Sequence, residues 1–595
     1  MSLRTKPGAK GRVPGRRPPS QTVDTALKSY PRTEPLAALH TLQKLLSSLP
    51  SRVGGCAYKL THDEHKLSLH LLAIVEPFVA LGCGARPALS TQPAEVLDLI
   101  ASHIHSKRDL LTLGLTCARL RDVVFPRHFE YRVVRCKVSA VRVWNHLCVN
   151  RALARNVRTL EVLDERAGGA GRELIPRGIR TCDTDLESTD DELKGVHKKH
   201  GRFLLNALAQ MTGVQTVVWA CGHSPISMQE VWPLLLKCPD LQQVTICDNL
   251  VFGDLDEDKG GNEKDQLVLP GLRTAAFKAT GNTYGASKNP ALTQIQSMLN
   301  RCPRLESLEV AYARPKGAGF TSPLADNLLT CGRWSRLQSL TLGGIRCSSA
   351  HGFAAASAFL AAHACLEILH IDITFEGNGK PQLALAPNSL PRLREVRACK
   401  ELVSSVLVCP CDTPRPLETI KGVKLGGGAT PGDREFLGSL KRYGASVRRL
   451  ELAGWNDLEE VKRLAECVPG LTWLDIGKKI NPPSAGRANR LAAPANANAA
   501  EWAVTLASLT ELTTFHGARF FFEVSNGDYD RNDSQAALCV SDRSRVREND
   551  RSASVLTGKC PKLRRVDHWD ENAGKVILLS RDGDKIRWEA RRIKG

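Results

Sequence analysis

Much of this chain repeats one apolar frame: a leucine or valine, a second apolar residue three positions on, and a third two positions after that. Clear instances begin at Leu241 (with Val244 and Ile246), Leu305 (Leu308, Val310), Leu337 (Leu340, Leu342), Leu366 (Leu369, Ile371), Val447 (Leu450, Leu452) and Leu471 (Leu474, Ile476). Weaker instances begin at Val157, Val214, Leu272, Leu393, Leu417, Leu509 and Leu563. The alternation that closes each frame is the period of a strand with one buried face. Successive starts from Leu241 to Leu471 lie 24 to 33 residues apart, room for one strand, one helix and two loops. A fixed period of this size predicts an array whose units bury their apolar faces only against their neighbours.

The helical part of each unit ends in a similar punctuation: Lys237-Cys-Pro-Asp-Leu241, Arg301-Cys-Pro-Arg-Leu305, Cys467-Val-Pro-Gly-Leu471 and Lys559-Cys-Pro-Lys-Leu563. Proline there stops a helix and sets an extended approach to the strand, and cysteine before it acts as a small apolar plug. Helices over Thr293 to Leu299 and Leu458 to Leu464 are expected on the outer face. The spacing is similar to that of leucine-rich repeats, which implies a solenoid with a curved parallel sheet. In that frame the residues between the leucines face the concave surface. They are Gln243 and Thr245, Ser307 and Glu309, Ser339 and Thr341, His370 and Asp372, Arg449 and Glu451, and Trp473 and Asp475. This set is polar to mildly acidic, with one large aromatic and Arg449 as its clear cation.

Ahead of the array, Pro93-Ala-Glu-Val-Leu-Asp-Leu-Ile-Ala-Ser-His-Ile104 predicts a helix opening at Pro93, with Val96, Leu97, Ile100 and Ile104 on one stripe. Ser106 or Asp109 can cap a second helix carrying Leu110 and Leu111, and Thr116 a third carrying Leu120, Val123 and Val124 before Pro126. The pattern Pro-x-Glu-Val-Leu-x-x-Ile, then Asp-Leu-Leu-x-Leu-x-Leu-Thr-Cys-x-x-Leu-Arg-x-Val-Val, resembles an F-box over about residues 91–135. That resemblance implies docking on a Skp-type adaptor of a cullin-based ubiquitin ligase. Pro93, Val96, Leu97, Ile100, Leu110, Leu111 and Leu120 match the apolar positions of the family, some contacting the adaptor and some packing internally. Many F-boxes open Leu-Pro, whereas Gln92 stands before Pro93 here, a departure that weakens the expected contact.

The organisation expected from sequence is α/β: a short three-helix F-box-like module followed by a leucine-rich-repeat solenoid. A basic, disordered arm occupies residues 1–34, and a partly helical segment of unassigned role 35–90. The module covers 91–135, the solenoid 136–570 with acidic loop insertions near 180–200 and 253–265, and a hairpin cap 571–595. The chain has 595 residues and a net charge of +20, and a solenoid absorbs such length without dividing into globules. Its basic arm, Arg4 to Arg17, reads as a solvated tail, with a nuclear-import signal or a weak nucleic-acid tether as the alternatives. A nucleic-acid groove would gather Lys and Arg on the binding face, so a protein ligand is the expectation there. The most apolar stretch, Leu67 to Leu81, is broken by Glu76 and Pro77 and is too short to span a bilayer. Nineteen scattered cysteines read as free thiols of a reducing compartment, cytoplasmic and/or nuclear. Neither Cys409 with Cys411 nor His62 with His65 has a second ligand pair at zinc spacing, so no metal or cofactor is expected.

The chain carries none of the glycine-rich phosphate loops, nucleophile elbows or zinc-protease motifs that announce an enzyme. It is therefore read as a non-catalytic substrate receptor, monomeric within a hetero-complex of adaptor, cullin and an unknown protein substrate, with ubiquitin transfer left to other subunits. A plain repeat scaffold without a ligase is the alternative. A basic chromatin- or RNA-associated repeat protein is a weaker third.

Overall fold

The computed structural model describes residues 24–49, 60–82, 89–125, 127–166, 173–179, 193–222, 226, 228–254, 269–317, 319–349, 351–375, 383–426, 430–480, 497–524, 539–570, 573–582 and 585–592. Two compact units are present: Met1–His103 with Thr116–Leu120, and Ile104–Leu115 with Arg121–Gly595. The basic residues 4–17 and the acidic stretches 183–192 and 255–265 lie outside the described residues.

In the first unit, helices Pro35–Ser48 and His62–Gly82 pair through Ala38, Leu42, Leu67, Leu71, Ile74 and Val75. These residues recur at three- and four-residue steps, which is what brings them onto facing stripes. Thr61 and Glu64 start the second helix as a reciprocal cap. Glu64 N donates to Thr61 Oγ1 at 3.3 Å and Thr61 N to Glu64 Oε2 at 2.8 Å, satisfying two amides that the helix itself leaves unpaired. The apolar stretch Leu67 to Leu81 falls in this helix; no helix among the described residues is long and apolar enough to cross a membrane.

The second unit is α/β, built on a long, mostly parallel sheet of 17 strands among the described residues. Its strands are β1 (Val133–Lys137), β2 (Thr159–Leu163), β3 (Thr216–Ala220), β4 (Gln243–Cys247), β5 (Thr274–Lys278), β6 (Ser307–Ala311), β7 (Ser339–Cys347), β8 (Ile368–Phe375), β9 (Glu395–Arg397), β10 (Thr419–Lys424), β11 (Arg449–Trp455), β12 (Trp473–Asp475), β13 (Lys478–Lys479), β14 (Thr514–His516), β15 (Arg565–Asp567), β16 (Lys575–Asp582) and β17 (Lys585–Arg592). From β1 to β12 each strand pairs in parallel with the next. The run then continues through β14 to β15, with the short β13 also joined to β11.

One row of this register holds the frame residues: Leu160, Val217, Val244, Ala275, Leu308, Leu340, Leu369, Val396, Ile420, Leu450, Leu474 and Phe515 stand opposite one another across successive strands. All are buried, in a single core that runs from Tyr131 to Leu579. The residue before each strand ties one repeat to the next, as in Gln242 N to Gln215 O and Arg273 N to Gln242 O, both 2.8 Å. The outcome is solenoid-like: each repeat finds its hydrogen-bond and packing partners in its neighbours.

Helices cover one face of the sheet. Thr293–Leu299 forms as the periodicity indicates, and Leu458 starts a helix that continues to Cys467. At the punctuation, Cys238, Cys302, Val468 and Cys560 are all buried. Burial pushes the Cys302 thiol up to about 12 and those of Cys238 and Cys560 to about 11, so these sulfurs are inert fillers. The chain ends in the β16–β17 hairpin, antiparallel to β15.

Three expectations need correction. Residues 133–135 belong to β1 of the sheet, because Val134 joins the frame row opposite Leu160 and Cys136 is buried opposite Val162. In the repeat written from Leu509, the strand follows Leu512 instead, and the frame is Leu512 with Phe515. Residues 193–200 are part of helix Leu193–Gln210 and not of an acidic loop.

Candidate functional site

Two sets of side chains lack an obvious structural duty: apolar residues on the short helices after residue 93, and the residues on the open face of the sheet. The first helix runs Ala94–Ser102, with Pro93 as its cap residue and not inside its first turn. The Pro93 carbonyl accepts from Val96 N and Leu97 N, both at 3.1 Å. Leu97 and Ala101 point inward, whereas Val96, Leu99 and Ile100 are exposed, Leu99 by 61%. Val96 and Ile100 therefore lie on a stripe beside that of Leu97, not on the same one, and Pro93 is exposed with them. The main-chain carbonyl of Gln92 accepts from Arg119 Nη2 at 2.8 Å.

The second helix, Lys107–Gly114, is capped by Ser106, whose hydroxyl accepts from Asp109 N at 3.2 Å. Leu110 is buried and Gly114 lets Phe125 approach so closely that a Cβ would meet its ring at 2.7 Å. Leu111 and Leu115 remain exposed, Leu115 by 73%. At the start of the third helix, Ala118–Val124, the thiol of Cys117 accepts from Leu120 N at 3.5 Å. Leu120 is buried. Of the seven matched residues, then, Leu97, Leu110 and Leu120 are structural, while Pro93, Val96, Ile100 and Leu111 are at the surface.

On the open face, Gln243 and Asp372 are exposed, and Thr245, Ser307, Glu309, Ser339, Thr341, His370, Arg449, Glu451, Trp473 and Asp475 are half-buried. Short side chains dominate the middle of this face, and charged pairs its two ends. Arg135 bonds Glu161, and Lys278 bonds Glu309 at 2.8 Å. Further along, His370 Nε2 and Lys421 Nζ both reach Glu395 Oε1, at 2.7 and 2.6 Å. Burial works against the Glu395 carboxylate, but these two hydrogen bonds outweigh it and hold its pKa below the usual range.

Arg449 donates from Nε to Glu451 Oε1 at 2.6 Å and lies over the Trp473 ring at 4.2 Å. Arg565 stands 5.6 Å from the same ring, and His516 tilts against it at 5.1 Å. Asp567 fixes His516 through Nδ1 at 2.5 Å and accepts from Gly517 N at 2.6 Å. Trp473 is thus a stacked platform, its face already taken by a guanidinium. The surface is also more cationic than the sequence frame suggested. Arg397, Lys421 and Arg565 occupy inner positions of the weaker repeats that begin at Leu393, Leu417 and Leu563. A frame that counts only strong leucine matches passes over them.

No family model matches this chain, and no curated protein matches it. Among solved structures, a chain from the crystal structure of the Rad7 and Elc1 complex in yeast aligns over 76% of this chain and 92% of its own length, at 11% identity and a TM-score of 0.32. Likeness at that level carries no functional argument.

Proposed function

We propose that this chain is the substrate-recognition subunit of a Skp-cullin-F-box ubiquitin ligase. In this reading the short helices form an F-box that docks the adaptor, and the sheet is a leucine-rich-repeat face that holds a protein substrate. The chain itself is non-catalytic; it raises the effective concentration of substrate lysines near a conjugating enzyme carried by other subunits. The observation that supports the reading best is helix Ala94–Ser102, which buries Leu97 and Ala101 and leaves Val96, Leu99 and Ile100 in solvent. Burying a side chain of this size against a partner contributes about 1.5–3 kcal/mol, enough in combination to hold an adaptor.

Co-expression of the full chain with a Skp-type adaptor, followed by affinity capture, tests this. Wild type should retain the adaptor, and the double variant Val96→Asp with Ile100→Asp should lose it while keeping its circular dichroism. Leu97→Asp is a poor probe, because it puts a charge in the core. The alternative is a repeat scaffold outside any ligase. It is favoured by Gln92, a polar side chain at the position before Pro93 where the resemblance expects an apolar one. Failure of wild type to capture any adaptor would select it.

A further inference from the structure

We propose that the open face from β9 to β15 is a docking site for an extended acidic segment of the partner protein. The inference names a substrate class for the receptor reading above and rests on its assignment of this face to protein binding. All four carboxylates on this part of the face are engaged. Glu395 holds His370 and Lys421, Glu451 holds Arg449, Asp567 holds His516 and the Gly517 amide, and Asp475 accepts from Gly477 N at 2.9 Å. The cations are not balanced in the same way. Among the described residues neither Arg397 nor Arg565 has a carboxylate partner, and Lys424 and Lys478 stand exposed at the adjoining strand ends. Toward the other end of the sheet Arg135 pairs with Glu161 and Lys278 with Glu309. Strands β9–β15 carry seven Lys and Arg against four Asp and Glu, and β1–β8 four against three, so the surplus of positive charge is concentrated here.

The geometry also sets a length. β9, β10, β11, β12, β14 and β15 are successive neighbours, so the Cα atoms of Arg397 and Arg565 are separated by five strand steps, about 24 Å at about 4.8 Å each, the outer limit for the span between them. An extended peptide covers that span with about seven residues. Trp473 lies between the two arginines, three strands from one and two from the other, and is half-buried, which leaves part of its surface for an apolar side chain. The fitting ligand carries two acidic residues about seven positions apart with an apolar residue between them. A nucleic-acid strand fits less well, since Glu395, Glu451 and Asp475 are interleaved with the cations and would repel a continuous line of phosphates.

The test uses the full chain and a fluorescein-labelled decapeptide of Gly and Ser bearing two Glu seven residues apart and one Leu four after the first. A second peptide has Gln for both Glu, and a third probe is a ten-residue thymidylate strand. Anisotropy at about 50 mM salt, where screening is weak, should show the Glu peptide binding about tenfold or more tighter than the Gln peptide. Arg397→Glu with Arg565→Glu should remove that preference. Arg304→Glu with Arg336→Glu, which makes the same charge change in exposed loops off this face, should leave it intact. Equal binding of the two peptides, an unchanged preference in the Arg397 and Arg565 variant, or tighter thymidylate binding abolished by that variant would each overturn the proposal. Adaptor capture by the same variants separates the two claims. Peptide binding without adaptor capture removes the ligase reading alone, and capture without peptide preference removes this one alone.

Discussion

Asp248 is a carboxylate in the wrong place, and replacing it by asparagine should make the protein more stable at neutral pH. It follows β4, caps the short turn Asn249–Phe252 by accepting from Leu250 N at 3.0 Å, and is only 1% exposed. Its other oxygen, Oδ2, is buried without a hydrogen-bond partner, with the Trp219 indole near but out of bonding geometry. Burial, with the Asp164 charge adding to it, raises its pKa from 3.8 to about 6, despite the Leu250 amide. A carboxyl whose pKa rises on folding carries no penalty below its unfolded value. The penalty grows as the pH climbs between the two values and is complete above the folded one. From 3.8 to about 6, at about 1.4 kcal/mol per pH unit, that is about 3 kcal/mol at pH 7.5. Asparagine keeps the capping oxygen and removes the charge, though it leaves a buried amide, so a net gain of about 1–3 kcal/mol is expected. Urea unfolding at pH 7.5 and pH 4 measures it, with hydrogen exchange of the β4 and β5 amides because a repeat array can open in parts. A gain at pH 7.5 that vanishes at pH 4 is expected. Destabilisation of the same size at both pH values would refute the reasoning, since it would mean that Asp248 is valued for its bonds and its charge costs nothing.

Two other substitutions probe the array. Gly344 sits at the register shift in β7 with φ of +65°, and a Cβ there would meet the Tyr312 carbonyl oxygen at 2.0 Å. Gly344→Ala should lower stability by about 2 kcal/mol or more in chemical denaturation; a neutral result would mean the bulge is not needed. Lys400 Nζ meets Asp433 Oδ1 at 2.7 Å, and Asp433 is almost fully buried at the start of helix Pro431–Tyr443. Lys400→Met strands that charge and should cost about 3–5 kcal/mol, whereas Lys400→Met with Asp433→Ala should recover part of the loss; no recovery in a double-mutant cycle would contradict the pairing.

Sequence reading reached the array because its signal is repeated and local: a leucine at 241, 305, 337, 366 or 471 is followed at fixed steps by the residues that share its row. It slipped by one step at Leu509, where two overlapping three-residue spacings offer equally good frames and only packing chooses Leu512. β1 went unread because Val134 and Cys136 look like the tail of a helical module when its partner β2 is not in view. The cap formed by Thr61 and Glu64 was legible in principle, as Thr-x-x-Glu ahead of an apolar run. The Glu395 cluster was not. Its members come from β8, β9 and β10, and their meeting depends on register between strands tens of residues apart. On the short helices, composition could say which residues were apolar, but not that Leu97 would turn inward and Ile100 outward, because adjacent stripes of the helix are both apolar.

The most direct test of the receptor reading is hydrogen–deuterium exchange on the full chain with and without a Skp-type adaptor. A receptor docked this way shows slowed exchange confined to helices Ala94–Ser102 and Lys107–Gly114, with the open face of the sheet unchanged. Absence of any protection in those helices at saturating adaptor, or protection on the sheet instead, would contradict it.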